Sequence, residues 1–153
     1  MLEAVPLPSE WAANTYNNKP YCLVKLSKYS SRDINEYIKV ENYFDNYLVV
    51  KIERVQNPYQ YGKYLLYRLQ MNNPSEKIYF MPLKSPEKLE VALRFNCDYR
   101  RLNYSYDMFF SSVSTAESYS ASYNKMIVMQ GLVGYTNYDA GRYPKYVVTY
   151  ENN

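Results

Sequence analysis

Hydrophobic and polar positions change period abruptly within VVKIERVQNPYQYGKYLLYRLQM, the stretch from Val49 to Met71. Val50, Ile52 and Arg54 alternate with Val49, Lys51, Glu53 and Val55, the period of a strand with one face wetter than the other. Asn57-Pro58 then interrupts the alternation. An Asn side chain accepts a bond from the free N–H groups of a first helical turn, and Pro at the first helical position loses nothing by lacking its own. Beyond it Tyr61, Tyr64, Leu65 and Leu69 recur at helical spacing, with Gln60, Lys63, Tyr67 and Gln70 opposite. A strand feeding a capped amphipathic helix is the expectation.

The same logic places the other elements. Met1 to Pro20 reads as an extended leader, with Trp11 as an anchor into a groove, and Tyr21 to Leu26 as a strand. Ser30 and Asp33 form a capping signal for a helix with Tyr37, Val40, Phe44 and Tyr47 on one face. Glu76 to Met81 is a short strand, and Ser85-Pro86-Glu87 opens a helix whose inner face is Leu89, Ala92 and Leu93. Met108 to Phe110 is expected as strand, Thr115 to Tyr123 as a helical turn or two, and Lys125 to Val133 as a long strand. After the turn residues Asn137 to Gly141, Pro144 introduces a last strand, Lys145 to Tyr150. Helices early and strands late, without regular alternation, argue for an α+β domain.

Composition narrows the chemistry. The chain has 153 residues, room for one domain that buries roughly two-thirds of its unfolded surface. It contains no histidine, which excludes imidazole as base, acid or zinc ligand. With only four glycines, few backbone positions can closely approach a phosphate or nicotinamide. Cys22 and Cys97 give neither a metal spacing nor a disulfide framework, so a reducing compartment, cytoplasm or nucleus, is the expectation. The start MLEAVPLPSEW lacks the basic region and apolar run of a signal peptide, and no stretch approaches a membrane span. A net charge of +3 is too small to argue for nucleic acid or anionic lipid.

Seven segments carry a family resemblance, one of them at the strand-to-helix break and six more falling in the family's order. KIERVQNPYQYGKY resembles the I-x-R-(I/V)-Q-N-x-x-x-(W/Y)-x-x-(Y/F) segment near the start of mono-ADP-ribosyltransferase domains of the poly(ADP-ribose) polymerase (PARP) family. Pro8 and Trp11 resemble the P-x-x-W before that domain, and Tyr37 to Tyr47 its Y-x-x-V-x-x-x-F helix. Asn96-Cys97-Asp98-Tyr99-Arg100 is similar to N-F-D-W-R, Tyr119 to Tyr123 to Y-S-x-x-Y, and Val128 to Thr136 to V-L-x-G-x-Y-T. Tyr146 to Asn153 resembles the strand I-F-V-V-F-D-x-N. The resemblance covers nearly the whole chain, on the side of the branch that includes the zinc-finger antiviral protein. It implies one PARP-like domain over residues 1–153, with 1–20 as its leader and two packed mixed or antiparallel β-sheets flanked by a few helices. The family continues with one further strand, so a shortened domain is expected.

The family's catalytic positions are the ones this sequence has changed. Its H-G-(T/S) motif, which holds the NAD ribose and the nicotinamide amide, falls on Met81, Pro82 and Leu83. Met81 offers only a thioether, and Pro82 has no backbone N–H. The G-x-G-x-Y-F motif falls on Ser105 to Phe110, with Phe109 replacing a stacking tyrosine, while Tyr119 matches the second one. The polymerase glutamate falls on Tyr146, or on Lys145 if the register slips by one. Losing single positioned hydrogen bonds costs about 2.7–4 kcal/mol each at such sites. NAD binding and catalysis are therefore expected to be lost.

The resemblance thus implies a pseudoenzyme that serves as a protein-interaction or scaffold module in an intracellular complex, without metal, cofactor or membrane. One alternative is single-stranded RNA binding by Tyr99, Arg100, Arg101 and Tyr104, where rings neighbour guanidinium groups, as they do around Lys63, Tyr64, Tyr67 and Arg68. Another is residual mono-ADP-ribosyltransferase activity.

Overall fold

The structure, a computed structural model, describes residues 7–12, 19–72, 74–95, 109–120, 123–133 and 141–152. Five strands among them form one antiparallel sheet in the order β1-β2-β5-β4-β3. These are β1 Cys22–Lys25, β2 Tyr47–Gln56, β3 Glu76–Pro82, β4 Lys125–Leu132 and β5 Arg142–Asn152. Four helices accompany them, α1 Ile34–Glu41, α2 Pro58–Gln70, α3 Pro86–Phe95 and α4 Val113–Glu117. The α+β expectation holds. The described strands join a single sheet where two were expected, because β5 pairs with β2 on one side and β4 on the other and so bridges them.

Strand alternation divides the core between the two faces of this sheet. Val55, Met81, Ile127, Met129 and Val147 point to one face, where Ala92 and Leu93 of α3 cover them. Ile52, Phe80, Met126, Val128, Tyr146, Val148 and Tyr150 point to the other, where Tyr37 and Val40 of α1, Phe44 and the short α4 cover them. A third cluster, Tyr64 with Leu132 and Tyr143, holds α2 against the sheet's end.

The break after β2 is built as the sequence dictates. Asn57 has extended dihedrals, and its side chain accepts from Gln60 N at 3.1 Å with Pro58 at the start of the helix. The Asn57 amide also donates to Leu93 O at 3.0 Å, so the cap ties α2 to α3. Tyr143 completes the corner: its hydroxyl donates to Val55 O at 2.8 Å and accepts from Asn57 N at 3.2 Å. Ser85 caps α3 by accepting from Lys88 N, and Ser112 caps α4 by accepting from Thr115 N.

Elsewhere tertiary structure overrides the pattern. In α2 Tyr61, Tyr64 and Leu65 pack inward as their spacing implies, Gln60 and Tyr67 join them from the side expected to be wet, and Leu69 is exposed. Gln60 turns inward at the cap, where its N–H donates to Asn57 and its side-chain amide to Arg94 O at 3.5 Å, and Trp11 covers the aromatic side at 5.3 Å from Tyr61 and 6.3 Å from Tyr143. The α1 helix stops at Glu41, and after a tight turn at Asn42–Phe44 Tyr47 already belongs to β2. At its start Asp33 makes no capping bond, because its carboxylate accepts from Ser27 N instead. The register of β2 shifts between Val49 and Lys51, a bulge that turns Val50 outward and leaves Val49 and Ile52 on one face. Pro144 lies inside β5, at a second register shift, since a residue without N–H fits a sheet interior where the ladder is interrupted. Phe110 forms a lone bridge to Phe80, and the helix expected from Thr115 begins two residues earlier at Val113. Of the turn expected at Asn137 to Gly141, only Gly141 lies within the described residues.

Among the described residues no helix is long and apolar enough to cross a membrane, and no group of His, Cys, Asp or Glu side chains is arranged to hold a metal ion.

Candidate functional site

The six positions aligned with the family's catalytic motifs do not converge on one cleft. Met81 is 1% exposed, and Leu83 is fully buried with it under α3. Pro82 is buried between them and pairs with Met126. Phe109 packs partly against the same cluster, its ring 4.0 Å from the Arg142 guanidinium. Tyr119 is exposed and stacks on Phe110 at 4.8 Å, with ring planes 16° apart. Tyr146 belongs to the opposite face: it pairs with Val128, which pairs with Phe80, one position out of step with Met81. Lys145 is the extra residue where the β5 register shifts, between Tyr146 opposite Val128 and Pro144 opposite Met129. Tyr99, Arg100, Arg101 and Tyr104 lie outside the described residues, as do Ser105 to Met108.

What the fold does gather is a polar cluster around Arg54. The alternation of β2 sends Arg54 to the same face as Ile52, and its side chain is only 4% exposed. A buried guanidinium requires partners for both its charge and its donors. Glu36, in the first turn of α1, supplies a carboxylate: Arg54 Nε donates to Glu36 Oε2 at 3.1 Å, and Nη2 to Oε1. Arg54 Nη1 donates to Gln56 Oε1 at 3.2 Å. Tyr146 OH donates to Glu36 Oε2 at 2.7 Å, drawing β5 into the network.

Gln56 passes the network to the leader. Its side-chain amide donates to Ala12 O and accepts from Ala12 N, both at 2.9 Å, much as a neighbouring strand would. Together with the packing of Trp11 on Tyr61 and Tyr143, this pair clamps the leader across the mouth of the cluster. A cleft of about 440 Å³ lies there, lined by Ser9, Glu10, Trp11, Ala12, Arg32 and Arg54.

The electrostatics favour holding over reacting. Burial pushes the Glu36 carboxyl up, but the hydrogen bonds from Arg54 and Tyr146 and the guanidinium charge outweigh it and hold Glu36 below the usual carboxylate range. Burial, reinforced by the bond to Glu36, pushes the Tyr146 phenol far up, so it stays protonated and donates. Lys145, above the Tyr146 ring at 5.9 Å, is pushed down by burial and by Lys39, against the pull of Glu10 and Glu36. The carboxylate is already bonded, the phenol is not ionised, and the guanidinium spends three donors on Glu36 and Gln56. Such a set braces β2, α1, β5 and the leader against one another.

Glu36 was not singled out by the sequence, and Gln56 entered only as the Q of the Q-N signature, without a role. The available signal was Arg54 itself, a cation at an inward position of a strand, which calls for a carboxylate elsewhere in the chain. Compared with known proteins, the chain matches no protein-family model and no curated protein.

Proposed function

We propose that the chain is a degenerate PARP-like domain, a pseudoenzyme that acts as a protein-interaction module in an intracellular complex. The burial of Met81 and Leu83 beneath Ala92 and Leu93 carries this reading. A dinucleotide would need the end of β3 open to solvent and furnished with donors; here it is packed with a thioether, an imino acid and an alkyl chain. The PARP-like assignment is supported by the order of the sequence signatures and by the place of one of them: Ile52, Arg54, Gln56 and Asn57 fall on the break from β2 into a capped α2. Within that signature Arg54 and Gln56 are occupied with bracing the leader, which gives them work that does not depend on a nucleotide.

The test is thermal unfolding with and without NAD and a non-hydrolysable analogue. No change in Tm is expected at millimolar ligand; a rise of several degrees would overturn the assignment. Labelled NAD should likewise leave no automodification.

A further inference from the structure

β2 is longer than the strand beside it, and the surplus is open. The β1–β2 pairing runs from Cys22↔Gln56 to Lys25↔Glu53, and one more bond, Leu26 N to Ile52 O at 2.9 Å, ends it. From Tyr47 to Lys51 only the inner edge of β2 is paired, by β5; among the described residues no strand accompanies the outer edge. An unpaired edge is a template for another strand, and proteins that keep one in solution blunt it with charge or a bulge. This edge has the bulge at Val50 and a lysine at 51. It nevertheless presents Leu48 at 53% exposure and Val50 at 52%.

Beside the edge runs a groove of about 210 Å³ between β2 and the turn that follows β1. Its floor is Leu26, Tyr37 and Val49, which join the core cluster under α1. Its rim carries Lys25, Lys28 and Lys51, and no carboxylate lines it. Lys51 does contact Glu53 at 3.4 Å along its own strand. Tyr29, 87% exposed, stands at the rim with the Lys28 ammonium 5.5 Å from its ring centre.

We infer that the outer edge of β2 is a docking site for an extended acidic peptide of a partner protein, added as a sixth strand. The inference rests on the reading of the domain as an interaction module and names its surface. Main-chain bonds to the edge would supply affinity, an apolar side chain would enter the groove over Leu26 and Val49, and carboxylates beside it would meet the three lysines. The open segment, Tyr47 to Lys51, spans roughly 17 Å at about 3.4 Å per residue, enough for some five residues of peptide. A second copy of the chain fits less well: the same edge of that copy brings three lysines and no groove carboxylate to meet Lys25, Lys28 and Lys51.

The experiment uses the 153-residue chain and a dye-labelled peptide of about ten residues alternating valine with aspartate or glutamate, long enough to span the edge. Fluorescence anisotropy should give a sub-millimolar Kd that weakens with added salt and is about tenfold or more weaker for the lysine-substituted counterpart of the peptide. Hydrogen exchange should slow at amides within residues 47–51 when the acidic peptide is added. The Lys28→Glu/Lys51→Glu variant should lose about tenfold in affinity while its far-ultraviolet circular dichroism stays that of the folded chain, the Lys51–Glu53 pair it breaks being worth about 0–1 kcal/mol. Equal binding of acidic and basic peptides, protection elsewhere, or no binding at millimolar peptide overturns the proposal. So does slowed exchange at 47–51 that grows with protein concentration alone, which would assign the edge to a second copy. These outcomes are separate from the NAD test: a nucleotide-induced rise in Tm would sink the pseudoenzyme reading without touching the edge.

Discussion

Replacing Arg54 by methionine removes the guanidinium from a site where it is 4% exposed and leaves the Glu36 carboxylate facing a chain that cannot bond it. An exposed ion pair is worth about 0–1 kcal/mol, whereas breaking a buried one costs about 3–5 kcal/mol, most of it from the stranded charge. Three Arg54 bonds disappear together, and Gln56 loses the donor that orients its amide toward Ala12. The larger range therefore applies. For a domain of this size it corresponds to a fall in Tm on the order of 10 °C. The Arg54→Met/Glu36→Leu double variant should recover part of the loss, because it strands no charge, although the Tyr146 hydroxyl loses its acceptor. Trp11 is the only tryptophan, and it packs on Tyr61 and Tyr143, so its fluorescence during urea unfolding reports the clamped leader, while far-ultraviolet circular dichroism reports the sheet. If Arg54→Met costs under about 1 kcal/mol, the cluster is solvated and the bracing argument fails. If the two single losses simply add in the double variant, the side chains do not act as a pair.

The same structure makes further predictions. Asn57→Ala removes the cap of α2 and strands Leu93 O, and should cost about 2–3 kcal/mol in urea unfolding, more than the roughly 1 kcal/mol of a surface cap. At Gly131 an added Cβ would stand 2.6 Å from Cε2 of Tyr79, so Gly131→Ala should lower stability by about 1–3 kcal/mol, and Gly131→Ala/Tyr79→Leu should restore part of it. Glu36 binds its proton less readily folded than unfolded, so the stabilisation it brings is complete above the ordinary carboxylate range of about 4.3 and is lost as pH falls below it toward the lowered folded value. Glu36→Gln should flatten that acid limb in a Tm-against-pH series, and an unchanged limb would assign it to other carboxylates such as Glu90. Met81→His/Pro82→Gly, which installs the first two residues of the H-G-(T/S) motif, should not produce an NAD-dependent rise in Tm, because position 81 is covered by α3; a rise of several degrees would show that α3 yields to the nucleotide.

What was legible in the chain was what local chemistry decides. Asn57-Pro58 marks a strand-to-helix break whatever surrounds it, and Ser85-Pro86 does the same for α3, so these boundaries fall where the residues place them. The facing of α2 was legible in part: Tyr61, Tyr64 and Leu65 lie inward as their spacing implies, but tyrosine and glutamine serve a wet or a dry side equally, and Gln60 and Tyr67 join them. Trp11, far away in the chain, packs on the Tyr61 side of that helix. Neither bulge is legible for a related reason: strict alternation assumes an unbroken ladder, nothing near Val50 announces an extra residue, and a proline such as Pro144 suits the start of a strand as well as its interruption. The single sheet follows from β5 pairing on both its edges, a long-range fact. Glu36 and Arg54 lie on different elements, and only the packing of α1 over β2 brings them together.

The ladder that carries Met81 also limits what the aligned positions can do. Met81 pairs with Ile127 and that with Val147, while Phe80, Val128 and Tyr146 form the next rung. Adjacent rungs project to opposite faces, so a side chain at 81 and one at 146 are separated by the sheet itself. Moving the register by one offers no escape, because Lys145 is the extra residue at the shift and its ammonium sits over the Tyr146 ring, near the Arg54 cluster. A pocket opened on the α3 face would reach Met81 without Tyr146, and one opened at the leader would reach Tyr146 without Met81. Ordinary point changes at those two positions therefore leave the sheet standing between them, and the groups this chain does concentrate in one place, Glu36, Arg54, Gln56 and Tyr146, hold its own elements together.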